Sequence, residues 1–500
     1  MRMLEDNLPR IRLGVVAVSR DNFSQELSAN SLYSVVQACK RRGIDVVTCG
    51  TIVENDADVP VAIQEMRHAG CNALAVVLGN FGPEGPAAML AGAFGEPVMY
   101  AAVSEDSTAT LYDSRRDAYC GLLNCSYNLK LRGSAAYIPE NPVSTAESIA
   151  EMIEGFLPVA TAKLGLMGLK MITFGPRPKD FYACNAPLIG LYELGIEVEE
   201  NSELDLFLSF QEHEGDSRIP EVAAKMRLEL ASQKYEELLP RLAQYELTLL
   251  DWVEKYRGSR CYTAIASKCW PAFQRAFGFL PCYVHGRLLQ QGYPVGCEAD
   301  IYGALSQYIG LCLSKKPTLL LDINNDIPSD LYAEVPATHK HYRQDEMFIA
   351  FHCGNAPKSM MAKSELKYKL NRKDPYAAET GKENCRGTLE GRIREGPATC
   401  FRLHAAADGS LQAYVAQGEI LPLQTNTYGC YAVLGVPNMA RFYRYVLLAR
   451  QFPHHTALMY GNYAAELFDL FQLLGLPELH YNRPAGERYP EENPFRPKKY

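Results

Sequence analysis

The sequence has no hydrophobic run long enough to span a bilayer and no extended block of Lys or Arg. A membrane helix needs about 20 consecutive apolar residues, and the first apolar stretch, 13–18, is short and has charged residues on both sides. The net charge is −8, so a phosphate backbone or an acidic membrane would meet no basic patch. We therefore expect no signal peptide, no membrane segment and no nucleic-acid partner, and favour a small polar ligand.

The 15 cysteines include no C-x-x-C pair, and the two closest are Cys120 and Cys125. Zinc knuckles and small disulfide-bonded domains both depend on regular short cysteine spacings. Their absence predicts a reducing, cytoplasmic location.

Several catalytic motifs are also missing. The stretch "LGNFGPEGP" (78–86) follows an apolar run and opens a helical pattern, as phosphate loops do. It matches neither G-x-G-x-x-G nor G-x-x-x-x-G-K-[ST], so nucleotide binding has little support. Neither G-x-S-x-G nor H-E-x-x-H occurs, so a hydrolase has no motif behind it either.

What is present first is a repeated strand and helix pattern. Near-continuous apolar runs lie at 11–18, 44–50, 73–80 and 97–103, as strands buried on both faces require. The segments between them have helical spacing and close on Gly. This predicts a Rossmann-like parallel-sheet α/β domain over 1–163.

The pattern starts again at the apolar run 162–175 and continues to the strand-like segment "PTLLLDIN" (317–324), which predicts a second parallel-sheet α/β domain over 164–343. From about residue 345, short strand-like pieces are broken by Gly, Asp-Gly and Pro. We therefore expect a β-rich C-terminal domain over 344–500.

Two acidic residues precede the helical run in "PVGCEADIYGALSQYIG" (294–310), namely Glu298 and Asp300. Acidic residues often begin helices, because the first N–H groups are unpaired and that end of the dipole is positive. Asp300 is interpreted as such a residue, capping the first turn. Asp322 is predicted to end a strand, where open α/β sheets bind ligands, or else to accept hydrogen bonds at a turn.

Histidines and one arginine complete the set of candidates. "FPHHTALMYGN" contains the only adjacent pair, His454 and His455. One imidazole with two carboxylates suits manganese better than zinc, although a histidine in an apolar segment is often a hydrogen-bonded core residue. His352 in "AFHCGNAP" lies at a pocket rim or in the core, and Arg20 lies at the end of the first strand or in a solvated loop.

These segments together resemble the L-fucose isomerase family, which is related to the L-arabinose isomerases. The resemblance is carried by "CEADIYGAL" with Glu298, by "LLLDIN" with Asp322 lying 24 residues later, and by "HHTALMYGN" with His455. The order of two α/β domains and a β-rich domain is also similar, so the likeness covers most of the chain.

The resemblance implies an aldose–ketose isomerase working through a metal-stabilised enediolate. It implies a divalent ion, usually Mn²⁺, held by Glu298, Asp322 and His455, with the two carboxylates also acting as acid and base. It further implies a homo-oligomer, often a hexamer, whose active site receives residues from the first domain of a neighbouring subunit. Arg20 looks like the family's basic substrate-binding residue, and His352 is similar to a site histidine of the arabinose branch.

Two departures from the family pattern bear on the substrate. The chain is shorter than typical fucose isomerases, and His454 stands where they tend to have Asn. Both differences concern the sugar pocket, where His454 is expected to lie. The sequence therefore leaves open an isomerase of the same mechanism for an unusual or acidic sugar, bound by a basic pocket with Arg20 and His454. A non-catalytic sugar-binding protein that keeps the fold is the other alternative, although all three ligand types are present.

Overall fold

The computed structural model describes residues 4–368, 385–476 and 478–495. The chain forms two compact units. The N-terminal unit comprises Pro9–Leu164 and Asp469–Gly475, and the larger unit comprises Met1–Leu8, Gly165–Phe468 and Leu476–Tyr500. The domain boundaries expected after residues 163 and 343 stay predictions.

The N-terminal unit contains a five-stranded parallel sheet with the order β2-β1-β3-β4-β5. Its strands are β1 (Leu13–Val18), β2 (Val46–Thr48), β3 (Ala73–Leu78), β4 (Val98–Val103) and β5 (Val143–Ser144). The accompanying helices are Gln25–Arg41, Asp58–His68, Glu84–Phe94, Ala118–Leu131 and Ala146–Met167. Every residue of β1, β3 and β4 is buried, because helices cover both faces of a parallel sheet. The predicted α/β fold is confirmed here.

The larger unit contains a four-stranded parallel sheet with the order β7-β6-β8-β9. Its strands are β6 (Leu169–Gly175), β7 (Glu197–Ser202), β8 (Tyr262–Ser267) and β9 (Val295–Cys297). The helices in this part are Ile189–Glu193, Glu203–Glu212, Ile219–Leu230, Leu239–Tyr256, Phe273–Phe277, Cys282–Gln290 and Ile301–Ser314. The second predicted α/β sheet is therefore also present.

A nine-stranded sheet, mostly antiparallel, follows in the same unit with the order β12-β13-β16-β11-β10-β17-β14-β15-β18. Its strands are β10 (Leu319–Asp326), β11 (Met347–His352), β12 (Met361–Tyr368), β13 (Arg386–Ile393), β14 (Gly396–Ala405), β15 (Leu411–Leu421), β16 (Cys430–Gly435), β17 (His455–Tyr460) and β18 (Leu479–Tyr481). The helices here are Ser329–Ala333 and Met439–Phe442 with the π-helical turn Tyr443–Leu448. Helix Ala464–Leu473 begins in this unit, and its residues from Asp469 belong to the N-terminal unit. This is the expected β-rich part of the fold.

Short 3₁₀ turns occur between these elements, at Leu4–Asn7, Tyr182–Cys184, Glu236–Leu238, Ala337–His339, Gln344–Glu346 and Lys358–Met360. Within the described residues, no helix combines the length and apolar character that crossing a membrane would require.

The prediction that Asp322 ends a strand of a parallel sheet was wrong. Strand β10 continues to Asp326 and pairs antiparallel with β11 on one side and β17 on the other. The polar residues 324–326 resemble a turn in the sequence, but they are an exposed strand end whose pairing partners lie more than 20 residues away. Asp322 consequently lies within the nine-stranded sheet.

Helix Ile301–Ser314 links the two sheets of the larger unit. Its residues from Ile301 to Leu313 are all buried, and the helix contacts β8 and β9 of the parallel sheet and β14 and β17 of the nine-stranded sheet. A helix that is apolar all round belongs in a core rather than at a surface. Its first turn is therefore held rigidly between the two sheets.

Two helical glycines of the N-terminal unit provide a test of packing. A Cβ atom on Gly121 would lie 1.8 Å from the carbonyl oxygen of Phe81, whereas a Cβ atom on Gly155 would meet nothing within 4 Å. We expect Gly121→Ala to destabilise the protein by about 2 kcal/mol or more, because backbone must move. Gly155→Ala should stabilise it by about 0.5–1 kcal/mol through helix propensity. Urea denaturation of both variants checks this, and equal midpoints would contradict it.

Candidate metal centre

Glu298 lies in a tight turn between β9 and the buried helix that begins at Ile301. Glu298 and Ala299 both have left-handed backbone angles, with φ of 62° and 57°, which non-glycine residues adopt only where the surroundings hold them. The indole Nε1 of Trp270 donates a hydrogen bond of 2.9 Å to Oε1 of Glu298. The turn and the indole together fix one carboxylate oxygen and leave the other for the site.

Asp322 and His455 are directly opposite each other on the neighbouring antiparallel strands β10 and β17. Opposed residues project from the same face of a sheet. Nε2 of His455 lies 3.3 Å from Oδ1 of Asp322 and 3.2 Å from Oε2 of Glu298. The structure thus brings together the three residues that the sequence predicted as ligands, from a turn and two strands.

Asp300 has a larger role than the helix cap predicted for it. Its side chain accepts from the N–H of Gly303 at 2.9 Å, as a cap should. It also accepts from Nδ1 of His455 at 2.8 Å and from both terminal nitrogens of Arg402 at 2.8 and 2.9 Å. Arg402 is fully buried and Asp300 is 2% exposed. A second carboxylate behind a metal-binding histidine typically fixes the ring and raises its basicity.

The charges in this cluster shift its acid–base equilibria. Burial alone would raise the pKa of Glu298, but the close approach of His455 and the charge of that ring outweigh burial and lower this pKa to about 2. Burial also opposes ionisation of Asp322, and contact with His455 again brings the net pKa below its usual value. Burial alone would lower the pKa of His455, but its contacts with Asp300, Asp322 and Glu298 hold it well above its usual value. The carboxylates are ionised at neutral pH, and the pocket around them favours positive charge.

The donor atoms fit a divalent ion. A carboxylate can only accept, so Nδ1 of His455 carries the hydrogen shared with Asp300 and Nε2 faces the other two carboxylates. Nε2 is buried and makes a well-aligned hydrogen bond with none of the described residues, despite its short distances to Glu298 and Asp322. Two atoms each about 2.1 Å from one ion and at right angles are about 3 Å apart, close to the 3.2 and 3.3 Å that separate Nε2 from the nearest oxygens of Glu298 and Asp322. Two carboxylates and one imidazole suit a hard to borderline ion such as Mn²⁺.

His352 lies beside these residues, and its Nδ1 accepts a hydrogen bond where Nδ1 of His455 donates one. Its Nδ1 accepts a hydrogen bond of 2.9 Å from the backbone N–H of Cys353, so a neutral ring carries its hydrogen on Nε2. That Nε2 is buried and has no hydrogen-bond partner among the described residues. The ring centres of His352 and His455 are 5.6 Å apart. His352 can therefore donate to a ligand oxygen, whereas Nε2 of His455 would present a lone pair to a metal ion that displaces its proton.

His454 also reaches the cluster. Its Nε2 is 3.8 Å from Oδ1 of Asp322, and its ring stacks at an angle on that of His455 with centres 4.4 Å apart. Burial and the neighbouring positive His455 lower the pKa of His454, so this ring is neutral at neutral pH. Phe181 contacts it edge-on at 5.3 Å, which gives the site one apolar wall.

Arg20 belongs to the N-terminal unit, where it follows β1 as expected. It lines a cleft of about 620 Å³ that also contains Asp21 and Glu84. One guanidinium nitrogen lies 3.7 Å from Oε1 of Glu84, and the guanidinium carbon is 4.6 Å from the centre of the Phe81 ring. Its charge is thus already partly balanced within this unit.

Sequence reasoning missed Arg402, Trp270, Phe181 and Cys184, whose Sγ lies 3.9 Å from Nδ1 of His455. Arg402 is a single arginine in the strand segment 396–405, and its pairing with Asp300 joins positions 102 residues apart. The only available signal was a single arginine inside a mostly apolar strand. No local pattern identifies the other three.

Comparison with known proteins agrees with this architecture. Residues 14–167 match the N-terminal domain of fucose/sulfoquinovose isomerases, and residues 350–480 match the C-terminal domain of L-fucose isomerase. The chain is similar to a sulfoquinovose isomerase of Clostridium sp. (strain MSTE9), 28% identical over 340 residues, covering 66% of this chain and 68% of that protein.

Two further relatives carry the same description. A sulfoquinovose isomerase of Alkalicoccus urumqiensis is 22% identical over 317 residues, which cover 62% of this chain and 64% of the relative. One of Priestia aryabhattai is 24% identical over 264 residues, which cover 52% of both chains. The aligned part of these two relatives is thus less than two thirds of their length.

Asp300 offers a test of the support behind His455. We expect Asp300→Asn to weaken Mn²⁺ binding by roughly 10–100-fold, because the ring loses its carboxylate partner. It should also destabilise the fold by about 3–5 kcal/mol, since the charge of Arg402 is then buried without a partner. Isothermal titration with Mn²⁺ and urea denaturation measure the two effects.

The double variant Asp300→Asn/Arg402→Met separates these effects. It removes the unpaired charge and should recover part of the lost stability, while Mn²⁺ binding stays weak. Wild-type affinity for Mn²⁺ in the double variant would contradict the role of Asp300 in orienting His455.

Proposed function

The chain belongs to the fucose/sulfoquinovose isomerase family, and from this premise we propose that it interconverts a free aldose and its ketose. The observation that carries the proposal is that Nε2 of His455 lies within 3.3 Å of a carboxylate oxygen of Glu298 and of a carboxylate oxygen of Asp322. Moving a carbonyl between C1 and C2 of an open-chain sugar needs a base at one carbon and an acid at the other. Two ionised carboxylates at one small site can serve both needs.

We assign the proton transfers to Glu298 and Asp322. Both are ionised at neutral pH because contact with His455 outweighs their burial. One would accept the proton from the carbon next to the carbonyl, and the same pair would return it to the neighbouring carbon. The Trp270 indole holds Glu298 by one oxygen, so the carboxylate keeps its orientation during transfer.

Glu298, Asp322 and His455 would also hold a divalent ion, which we propose to be Mn²⁺. Such an ion supplies electrophilic stabilisation of the negative charge that develops on the sugar oxygens during isomerisation. His352 would donate through Nε2 to a sugar oxygen, and His454 would contact the sugar beside Asp322. Arg20 is proposed to bind substrate from the first domain of a neighbouring subunit, as the family resemblance implies.

An acidic sugar is favoured over a neutral one as the substrate. Three relatives with aligned sequences are described as sulfoquinovose isomerases, and sulfoquinovose is a hexose with a sulfonate on C6. The histidine at position 454, where fucose isomerases tend to have Asn, supports a pocket that differs from that of a neutral deoxysugar. The lack of disulfide-type cysteine spacing supports action in the cytoplasm.

An apolar stripe on the N-terminal unit supports assembly with a second copy of the chain. Tyr119, Leu123, Tyr127 and Leu131 follow one another at four-residue intervals on helix Ala118–Leu131, and each is at least 64% exposed. Isolated exposed apolar residues are common, but a continuous stripe usually marks an interface. We propose a homo-oligomer, a hexamer by family resemblance, in which this stripe is covered.

The three proposed metal ligands Glu298, Asp322 and His455, here called the ligand cluster, are tested by three substitutions. We expect Glu298→Gln and Asp322→Asn to remove nearly all isomerase turnover, because an amide cannot accept the sugar proton. His455→Ala should chiefly weaken Mn²⁺ binding, by roughly 10–100-fold or more, and excess Mn²⁺ should restore part of its activity. Added metal should restore little in the carboxylate variants. Wild-type turnover by Glu298→Gln would defeat the proposed function.

The oligomer is tested by placing a charge on the stripe. We expect Leu123→Glu to lower the molar mass measured by light scattering, because a carboxylate would be buried in the interface. Leu228→Glu is the matched control, since Leu228 is 81% exposed but belongs to the larger unit. An unchanged mass for Leu123→Glu would place the subunit contact elsewhere.

A further inference from the structure

A cavity of about 470 Å³ lies in the larger unit at the carboxyl ends of β6 and β7. Its lining includes Arg177, Asn185 and Asn201, which offer hydrogen-bond donors, and Ser202, whose hydroxyl already donates to Asp205. In parallel α/β sheets this edge is where ligands bind, and the volume is within the range of small-molecule sites. None of these four residues belongs to the ligand cluster described above.

The cavity borders the candidate metal centre. Cys184 and Ala299 both line it. Sγ of Cys184 is 3.9 Å from Nδ1 of His455, and Ala299 directly follows Glu298 in the strained turn. A ligand whose reacting end lies at Glu298 could therefore extend its far end toward this space.

Arg177 is a cation without a carboxylate partner among the residues that the structure describes. Its Nε is buried and makes no hydrogen bond there, and its guanidinium carbon lies 4.4 Å from the centre of the Tyr182 ring. Glu200 also lines the cavity, but no ion pair of 4 Å or less joins it to Arg177. Arg287, by contrast, is bound by Glu246 and Glu229.

A buried guanidinium nitrogen without an acceptor is costly, and a planar guanidinium matches the oxygens of a carboxylate or sulfonate. The Tyr182 ring lies against the guanidinium without neutralising its charge. Arg177 therefore combines three properties of an anion-binding residue: an unmet donor, a charge without a carboxylate partner among the described residues, and an adjoining cavity. Arg20 has only part of this, because Glu84 and Phe81 already contact its guanidinium.

We propose that Arg177 binds the anionic group of an acidic aldose, a sulfonate in the case of a sulfoquinovose-type sugar, and so determines substrate specificity. The assignment rests on the proposed function, since it requires the reacting end of the sugar to lie at Glu298 and Asp322. The sugar chain would then run from Glu298 along Ala299, the next residue of the turn and part of the cavity lining, toward Arg177. Asn185 and the second amide N–H of Asn201, whose first N–H donates to Glu199, would donate further hydrogen bonds to the anion.

Binding of a sugar alcohol that cannot isomerise tests this without relying on turnover. The probe is the alditol of sulfoquinovose, 6-deoxy-6-sulfoglucitol, titrated calorimetrically into the Mn²⁺-loaded enzyme, with glucitol as the neutral comparison. We expect Arg177→Gln to weaken binding of the sulfonated alditol by about 10–100-fold, as loss of a charge-assisted contact requires. Arg177→Lys should recover part of that loss, because it restores the charge but not the planar donor pair.

Arg444→Gln is the matched control. Arg444 also lies over a tyrosine ring, 5.4 Å from the centre of Tyr445, but it is not among the residues that line the cavity. This variant should bind both alditols as the wild type does. In turnover assays, Arg177→Gln should lose at least about ten times more kcat/KM on sulfoquinovose than on glucose, most of it through KM.

The outcomes separate the two proposals. Wild-type affinity of Arg177→Gln for the sulfonated alditol would overturn the role of Arg177 while leaving the isomerase proposal intact. The role of Arg177 would also be overturned if Arg20→Gln, and not Arg177→Gln, lost affinity for the sulfonated alditol, or if the wild type bound the two alditols equally. The wild type could instead isomerise no aldose and still bind the sulfonated alditol in a way that depends on Arg177. That result would contradict the proposed isomerase activity and support the anion-binding role of Arg177.

Discussion

The candidate site depends on one buried carboxylate. Asp300 caps the helix that begins at Ile301, pairs with both terminal nitrogens of Arg402 and holds Nδ1 of His455. These contacts constrain one another. The helix cap fixes the position of the carboxylate, the guanidinium compensates its charge, and the hydrogen bond from Nδ1 to the fixed carboxylate orients the histidine ring. Removing water from a carboxylate is costly unless such partners replace it. Arg402 on β14 offsets that cost through its ion pair with Asp300, and it also donates to the carbonyl oxygen of His455 at 3.3 Å. The position of the imidazole is therefore set by contacts that are closed to solvent.

Rigidity around this carboxylate explains how a site can be assembled from separate elements. Glu298 comes from the end of a parallel sheet, whereas Asp322 and His455 come from paired strands of the nine-stranded sheet. The fully buried helix Ile301–Ser314 contacts both sheets, so the turn before it cannot move independently of the strands. The left-handed angles of Glu298 and Ala299 are tolerated because the surroundings determine them. Strain of this kind at a turn between sheet and helix is expected where a side chain must point in one direction for function.

Prediction from sequence succeeded where the determining forces are local. The strands at 13–18, 73–78 and 98–103 are apolar throughout, and such short continuous apolar runs are typical of parallel strands buried on both faces. The candidate ligands were found because a family resemblance supplied their order along the chain. The end of β10 was misjudged because pairing with β11 and β17, and not the polar character of residues 324–326, decides where that strand stops. Arg402 and the second role of Asp300 depend on a contact between positions 102 residues apart, which no periodicity in a single sequence encodes.

Charge balance links the ligand cluster to the cavity beside it. Glu298, Asp300 and Asp322 bring three negative charges into a space where Arg402 supplies one positive charge, which leaves two negative charges. The raised pKa of His455 reflects this deficit, since the carboxylates around the ring outweigh the burial that disfavours a proton. A divalent ion with a neutral His455 would balance the cluster completely. A balanced cluster has no positive charge left for an anionic group on a substrate, and such a group would be repelled by carboxylates nearby. An acidic sugar therefore requires a separate cation at a distance from the ion, beyond the ring of carboxylates. Arg177, which lines the cavity together with Ala299 and has no carboxylate partner among the described residues, is the cation that we propose for this role.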